Sequence, residues 1–150
     1  MKTKILMVCL GNICRSPLAE GILKSKVDTS NIIVDSAGTG HWHIDHQPDP
    51  RSIETANKHN LDITSQRGRQ FTQRDFQNFD YIFVMDTSNK ENVLALAQSD
   101  EERNKVHLIL DELFPNENVD VPDPYYGGDQ GFEQVYQMLD QACNEIVKRL

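Results

Sequence analysis

Long apolar runs and basic side chains are both scarce in this sequence of 150 residues. No apolar run is long enough to cross a membrane, and the short run near the N-terminus lacks the features of a signal peptide. The formal net charge is −8, which disfavours nucleic acid as a general partner because phosphate backbones require a basic surface. We therefore expect a cytoplasmic protein whose partners are neither nucleic acid nor membrane.

Cysteine is rare as well, with three residues, Cys9, Cys14 and Cys143. An odd count in a chain without a secretory signal indicates reduced thiols in the cytoplasm. The length is sufficient for a hydrophobic core that needs neither a metal nor a disulfide. There is no internal repeat, linker or low-complexity tract, so we predict one domain over residues 1–150 and a monomer.

The most informative stretch is the N-terminal one, K-I-L-M-V-C-L-G-N-I-C-R-S-P. Its apolar run, residues 5–8, is typical of a strand buried on both faces. Gly11 and Asn12 follow, the residue types that most readily accept positive φ. Ser16 and Pro17 then predict a helix start, with Ser16 as a cap. The pattern thus predicts a strand that ends at Cys9 and a helix that begins at Arg15.

A loop between a strand and a helix start is suited to binding an anion. Backbone N–H groups at a helix N-terminus lack partners, and the helix dipole favours negative charge there. A cysteine among such donors ionises easily, and an arginine fork grips two phosphate oxygens at once. Cys9 is therefore a candidate nucleophile toward phosphorus, with Arg15 holding the phosphate oxygens.

The rest of the chain alternates between short β-branched runs and amphipathic segments. Strands are predicted at residues 32–34, 81–85 and 106–110, and helices at 17–27, 50–58, 87–97 and 132–150, the last with Leu150 on its buried face. Asp49 and Asp86 are placed as caps of the second and third helices. This order predicts a single α/β domain, with a four-stranded parallel sheet and helices on both faces. Ligands in such sheets bind at the carboxyl ends of strands, where Cys9 lies.

The string C-L-G-N-I-C-R-S resembles the signature loop of the low-molecular-weight protein tyrosine phosphatases, C-x5-R-S with a second cysteine before the arginine. The resemblance covers nearly the whole chain and implies a Rossmann-like three-layer sandwich. It implies hydrolysis of phosphotyrosine in proteins and of small aryl phosphates through a cysteinyl-phosphate, with inorganic phosphate as product and inhibitor and without cofactor or metal. The loop residues then bind the substrate phosphate: Leu10, Gly11, Asn12, Ile13, Cys14 and Ser16.

The segment V-P-D-P-Y-Y-G-G contains a candidate general acid and two candidate substrate-binding tyrosines. From the residues alone Asp123 is a candidate turn former between two prolines. The resemblance implies instead that Asp123 is the general acid that protonates the leaving oxygen and then the base for water. Tyr125, Tyr126 and Trp42 are expected to wall a slot that admits a phosphorylated ring. The alternative for Trp42 is a loop aromatic packed on the core.

Five positions match residues that support the loop in this family. Ser16 is expected to donate a hydrogen bond to the thiolate, and Asn12 to prop the loop together with Ser36 and His59. Asp86 matches a carboxylate near the loop, although a helix cap is the simpler interpretation of that residue.

Cys14 lies five residues from Cys9 and is expected to face the same loop. A reversible disulfide between these two cysteines would protect the nucleophile from over-oxidation. The alternative is an inert, small packing residue. Cys143 falls at an apolar position of the last predicted helix and is assigned to the core.

The string H-W-H-I-D-H, from His41 to His46, matches a zinc-binding pattern of the metallo-β-lactamase-like hydrolases. That fold needs further ligands from remote loops and a larger two-sheet scaffold, whereas only His59 and His107 remain in this chain. We therefore do not predict a zinc centre.

Two other functions share parts of the pattern. A thioredoxin-coupled arsenate reductase has a similar loop and fold, but it needs relay cysteines, and none occurs between Cys14 and Cys143. A non-catalytic phosphate-binding or redox-sensing module would not need the four residues Cys9, Arg15, Ser16 and Asp123 together. Turnover of an aryl phosphate discriminates between these alternatives.

Overall fold

The computed structural model describes residues 2–125 and 129–150. Its centre is a four-stranded parallel sheet in the order β2-β1-β3-β4. The strands are β1 (Thr3–Cys9), β2 (Ile32–Gly38), β3 (Tyr81–Val84) and β4 (Val106–Leu108). The predicted parallel α/β fold is confirmed. Strand β2 continues to Gly38, beyond its predicted end, because its D-S-A-G segment stays in register with β1 as far as the pair Cys9–Gly38.

Six α-helices and one 3-10 turn are seen in the described parts of the chain. They are α1 (Arg15–Lys26), α2 (Pro50–Lys58), α3 (Asp75–Asn78), α4 (Thr87–Leu94), α5 (Asp100–Arg103), the 3-10 turn Ile109–Glu112, and α6 (Asp129–Lys148). The two four-residue helices were not predicted, since one turn is too short to show a helical period. The predicted fourth strand is too long because its last residues turn into the 3-10 segment.

Alternate residues of β1 point to opposite layers, as the pleat requires. Ile5 and Met7 pack in one cluster with the apolar faces of α1 and α6. Leu6 and Val8 pack in a second cluster, which includes Phe76 of α3 and Val93 of α4. The sheet is therefore covered on both faces, which gives the predicted three layers.

Two predictions about helix ends are wrong. Leu150 is 42% exposed rather than buried, because α6 ends at Lys148 and the last residues no longer follow its apolar face. Ser16 does not cap α1: the cap position is Cys14, and the Ser16 hydroxyl contacts Cys9 and Asn12 instead.

The carboxyl ends of the two central strands bring distant parts of the chain together. Cys9 ends β1, and Asp86 follows β3 within two residues. The backbone N–H of Val121 donates to the carbonyl of Met85 at 2.8 Å. This bond fastens the segment that leads to Asp123 beside the end of β3, so the sheet places Asp123 near Cys9.

Within residues 2–125 and 129–150, no helix has both the length and the apolar character needed to span a membrane.

Candidate active site

The sulfur of Cys9 is buried at the end of β1 and has two polar contacts. The backbone N–H of Asn12 donates to Sγ at 3.2 Å. The hydroxyl Oγ of Ser16 lies 3.0 Å from the same sulfur. Both contacts suit a sulfur that carries negative charge, because donors to a charged acceptor form the stronger hydrogen bonds.

Asn12 of the loop contacts three other residues through hydrogen bonds of its side chain. Its φ is 56°, in the left-handed region that asparagine tolerates better than most residues. Its Nδ2 donates to Ser16 Oγ at 2.8 Å and to Ser36 Oγ at 3.0 Å. Its Oδ1 accepts from the backbone N–H of Arg69 at 3.1 Å. Asn12, Ser16 and Ser36 therefore lie together beneath the Cys9 sulfur, outside the lining of the cavity above it.

Two residues of this network were not found from the sequence, Glu20 and Arg69. Glu20 is buried and accepts from Ser36 Oγ and from Lys24 Nζ, each at 2.6 Å. Burial raises the pKa of Glu20, more than its hydrogen bonds from Lys24 and Ser36 lower it. The sequence feature that could have identified Glu20 is its i, i+4 spacing from Ser16, which puts both residues on one face of α1. Arg69 contributes a backbone group, which leaves no side-chain signal.

The Arg15 side chain is buried and held along one edge. Its Nη1 donates to Asp86 Oδ2 at 2.7 Å and to the carbonyl of Val121 at 2.9 Å. Burial by itself would lower the pKa of Arg15, but the nearby Cys9 and Asp86 outweigh that effect and raise it. The guanidinium is thus a fixed positive charge beside the Cys9 sulfur.

Asp86 combines two roles that the sequence analysis treated as alternatives. Its Oδ1 accepts from the backbone N–H of Asn89 at 2.7 Å and caps α4. Its other oxygen is the one that binds Arg15. The same carboxylate therefore starts a helix and orients the guanidinium.

Asp123 lies across the cavity from Cys9 on a loop stiffened by Pro122 and Pro124. Its Oδ1 accepts from the backbone N–H of Tyr125 at 3.0 Å, and its Oδ2 lies 3.8 Å from Arg15 Nη2. The side chain is 38% exposed, so it can exchange protons with solvent. The structure brings Cys9, Arg15 and Asp123 to one place.

One cavity of about 300 Å³ joins these groups. Its floor and walls are formed by Cys9, Leu10, Gly11, Ile13, Cys14, Arg15, Trp42, His43, Asp123 and Tyr125. Trp42 is 61% exposed, so the alternative that it packs on the core is wrong. Tyr126 lies outside the described residues. His43 was not predicted; its ring packs against Gly11, with Cδ2 3.1 Å from where a Cβ of residue 11 would be.

The side chain of His59 makes its described contacts with helix α6. Its Nε2 lies 3.0 Å from both carboxylate oxygens of Glu133. Its ring stacks on Tyr136 with centroids 3.8 Å apart. These contacts join α2 to α6. The expected support by His59 of the phosphate loop, residues 9–16, is therefore corrected: the described side-chain contacts of His59 are structural ones between two helices.

The histidine-rich string contributes to the rim of this cavity rather than to a cluster of ligands. His41 stacks on Trp42, and the rings of His43 and His46 lie 5.5 Å apart. In the part of the chain that the structure describes, no group of three or more His, Cys, Asp or Glu side chains is arranged to hold a metal ion.

All three cysteines are free thiols. Cys14 lines the same cavity as Cys9, and burial raises its pKa, aided by the negative charge of Asp49. Cys143 is fully buried in the core cluster between the sheet and α6, where burial raises its pKa to about 12.

Comparison with known proteins agrees with this geometry. The sequence model of the low molecular weight phosphotyrosine protein phosphatases matches residues 4–150. An enzyme of that name from Schizosaccharomyces pombe is 41% identical over 147 residues, which are 94% of this chain and 93% of the yeast protein.

Solved structures are similar over the same length. A protein tyrosine phosphatase from Entamoeba histolytica with Hepes in its active site has a TM-score of 0.92 and 37% identity, covering 99% of this chain and 96% of its own. Vibrio vulnificus Wzb in complex with benzylphosphonate has a TM-score of 0.89 and 31% identity, covering 100% of both chains. By its phosphate loop, its fold and these matches, the chain belongs to the low molecular weight phosphotyrosine protein phosphatase family, whose members are phosphoric monoester hydrolases.

Proposed function

We propose that this chain hydrolyses phosphotyrosine and small aryl phosphates through a cysteinyl-phosphate intermediate. The observation that carries the proposal is that one cavity is lined by a hydrogen-bonded thiol, a buried guanidinium and a partly exposed carboxyl, from Cys9, Arg15 and Asp123. A nucleophile, an anion clamp and an acid are the three groups that transfer of a phosphoryl group to sulfur requires.

In the first step the Cys9 thiolate attacks phosphorus. The new S–P bond forms as the P–O bond to the ring breaks, and its electron pair leaves with the aryl oxygen. Asp123 donates its proton to that oxygen, so a neutral phenol departs. Arg15 and the backbone N–H groups of the loop hold the other phosphate oxygens while charge develops on them.

In the second step water attacks the cysteinyl-phosphate. The Asp123 carboxylate, which has just lost its proton, accepts one from that water. The S–P bond breaks, its electron pair returns to Cys9, and inorganic phosphate is released. One carboxyl therefore serves both steps, and inorganic phosphate inhibits as a product because it fits the same loop.

The walls of the cavity favour a ring over a short side chain. Leu10, Trp42 and Tyr125 are exposed large side chains, and all three line the cavity together with Cys9. An aromatic ring between them would bury apolar surface, whereas phosphoserine offers none and is shorter. The benzylphosphonate bound by Vibrio vulnificus Wzb has a ring next to its phosphonate, which supports the same choice here.

A pair of matched phosphopeptides tests this specificity. One peptide carries phosphotyrosine and its control carries phosphoserine at the same position. We expect kcat/KM to be more than about a hundredfold higher for phosphotyrosine, since the serine analogue loses the wall contacts and reaches the sulfur poorly. Phosphate release is measured with a chelator present. Equal rates for both peptides would contradict the role of the walls.

We further propose that the enzyme acts as a monomer in the cytoplasm on phosphotyrosine-containing proteins. The three free thiols suit a reducing compartment. Nothing in the chemistry above needs a cofactor, a membrane or a nucleic acid.

Cys14 is proposed to protect Cys9 from irreversible oxidation. Peroxide oxidises the Cys9 thiolate to a sulfenic acid and is itself reduced to water; Cys14 then attacks that sulfur, the disulfide forms and water leaves. Because burial raises the pKa of Cys14, we expect closure of the disulfide to become faster as the pH rises.

The measurement is the activity recovered with dithiothreitol after a peroxide pulse. We expect the wild-type enzyme to recover most of its activity and the Cys14→Ser variant several-fold less, because its sulfenic acid is oxidised further. Equal recovery by both proteins would assign Cys14 to packing only.

A further inference from the structure

The ring of Trp42 rests on the backbone of Gly40. A Cβ atom added at Gly40 would lie 1.9 Å from Cζ3 and 2.4 Å from Cε3 of that ring, far inside van der Waals contact. The His41 ring also stacks on Trp42, with centroids 5.6 Å apart and planes 19° from parallel. Trp42 is therefore held against its own loop although most of its surface is exposed.

Gly40 is in turn fastened to the phosphate loop. Its backbone N–H donates to the carbonyl of Leu10 at 2.9 Å, and that of Thr39 donates to the carbonyl of Cys9 at 2.9 Å. Among the described glycines none has a positive φ, so the backbone at residue 40 accepts alanine. The methyl group of an alanine at residue 40 would collide with the Trp42 ring, which is exposed and can rotate away from it.

Gly68 holds the other end of the rim segment, which we define as residues 40–46. The carbonyl of Gly68 accepts from the N–H of Asp45 at 2.8 Å, and its N–H donates to the carbonyl of His46 at 2.8 Å. A Cβ at Gly68 would lie 2.2 Å from the carbonyl oxygen of His43. Here the obstacle is backbone, so any larger residue must displace the rim segment itself.

The residue after Gly68 also contacts the phosphate loop, because the backbone N–H of Arg69 donates to the side chain of Asn12. At Gly40 the missing side chain leaves room for the Trp42 ring, and at Gly68 it leaves room for the carbonyl of His43. Both contacts act on Trp42 and His43, which line the cavity, and neither glycine lines it.

We propose that Gly40 and Gly68 are positioning residues that determine aryl specificity by fixing the rim segment over the Cys9 loop. Gly40 sets the place of the Trp42 ring, and Gly68 sets the path of the backbone that carries it and His43. The proposal rests on the proposed function, in which Trp42 contacts the aromatic ring of the substrate. It predicts that these glycines affect recognition of the ring but not of the phosphate.

The test compares Gly40→Ala with the wild type on 4-nitrophenyl phosphate, using inorganic phosphate as the competitive inhibitor that reports the loop alone. Displacing one aromatic contact is expected to raise KM about threefold to tenfold. We expect kcat and the Ki of phosphate to stay within about twofold. Gly68→Ala is expected to raise KM at least as much and to lower the Tm as well, since it moves backbone.

Trp42 is the one tryptophan in the chain, so its fluorescence reports the same displacement directly. Gly40→Ala is expected to shift the emission to longer wavelength and to increase the Stern–Volmer constant for acrylamide. The control is Gly21→Ala, whose Cβ would lie 2.6 Å from Ile63 Cγ2 in the core. It introduces a comparable steric conflict away from the cavity, and its KM and fluorescence are expected to match the wild type.

A double-mutant cycle with Trp42→Ala separates positioning from general damage. Since the three atoms nearest to the added methyl of Gly40→Ala all belong to the Trp42 ring, the variant Gly40→Ala/Trp42→Ala is expected to have the KM of Trp42→Ala within about twofold. Gly68→Ala acts through the backbone of His43, so part of its effect is expected to persist without the ring.

The outcomes are distinct. Wild-type KM and fluorescence in Gly40→Ala, with a raised KM in Trp42→Ala, would overturn the positioning proposal and leave the proposed function standing. The positioning proposal would also be overturned if the factors by which Gly40→Ala and Trp42→Ala each raise KM multiplied in the double variant. No turnover of 4-nitrophenyl phosphate by the wild-type enzyme would overturn the proposed function and the specificity role that rests on it.

Discussion

Replacing Cys9 with serine is expected to lower kcat for 4-nitrophenyl phosphate by about 10⁴-fold or more. A serine hydroxyl is a poor nucleophile near neutral pH unless a base removes its proton, and the neighbours of the sulfur are donors, from Asn12 and Ser16. The remaining groups of the cavity, Arg15 and the loop amides, are unchanged. The Cys9→Ser variant is therefore expected to bind inorganic phosphate still, as isothermal titration would measure.

The matched control is Cys143→Ala, which removes a buried thiol that does not line the cavity. Its expected cost is a small loss of stability with kcat within about twofold, because a small residue replaces another in the core. A Cys9→Ser enzyme that retained a tenth or more of wild-type kcat would remove the sulfur from the proposed mechanism.

Replacing Asp123 with alanine is expected to produce a loss that depends on the leaving group. With phenyl phosphate, whose phenolate is a poor leaving group, kcat/KM is expected to fall about 10²- to 10⁴-fold. With 4-nitrophenyl phosphate, whose phenolate leaves without a proton, about tenfold or less is expected. The measurement is a Brønsted plot over substituted phenyl phosphates, which should be steeper for the variant.

A suitable control for Asp123 is Asp120→Ala, three residues earlier. Asp120 accepts from the backbone N–H of Thr87 at 2.9 Å and does not line the cavity. Its removal is expected to leave the slope of the plot unchanged. Equal losses for good and poor leaving groups in Asp123→Ala would mean that Asp123 does not protonate the leaving oxygen.

The phosphate loop could be predicted because its information is local. The apolar run that ends at Cys9, the glycine–asparagine break and the helix that begins at Arg15 are contiguous, and the structure has them as predicted. Asp123 lies 114 residues from Cys9, and only the family resemblance connected the two. In the structure the segment that leads to Asp123 is held near Cys9 by hydrogen bonds of Val121 with Met85 and with Arg15, which no sequence pattern indicates.

What the sequence did not reveal depends on tertiary contacts. Ser16 looked like a helix cap, but its hydroxyl is used by the sulfur and by Asn12 Nδ2, so it is not available to backbone donors. Arg69 reaches the loop through its backbone N–H, a group that every residue except proline has. His43 looked like part of a metal pattern, and its place beside Gly11 follows from the path of the rim segment.

The most direct test of the mechanism is a rapid-quench reaction of Asp123→Ala with 4-nitrophenyl phosphate, followed by peptide mass measurement. This substrate forms the intermediate without acid, while loss of the base slows its hydrolysis, so the cysteinyl-phosphate accumulates. We predict one phosphoryl group on the peptide that contains Cys9, and none on that peptide in Cys9→Ser. Release of nitrophenol at full rate with no phosphoryl group on Cys9, or with that group on another residue, would contradict the account.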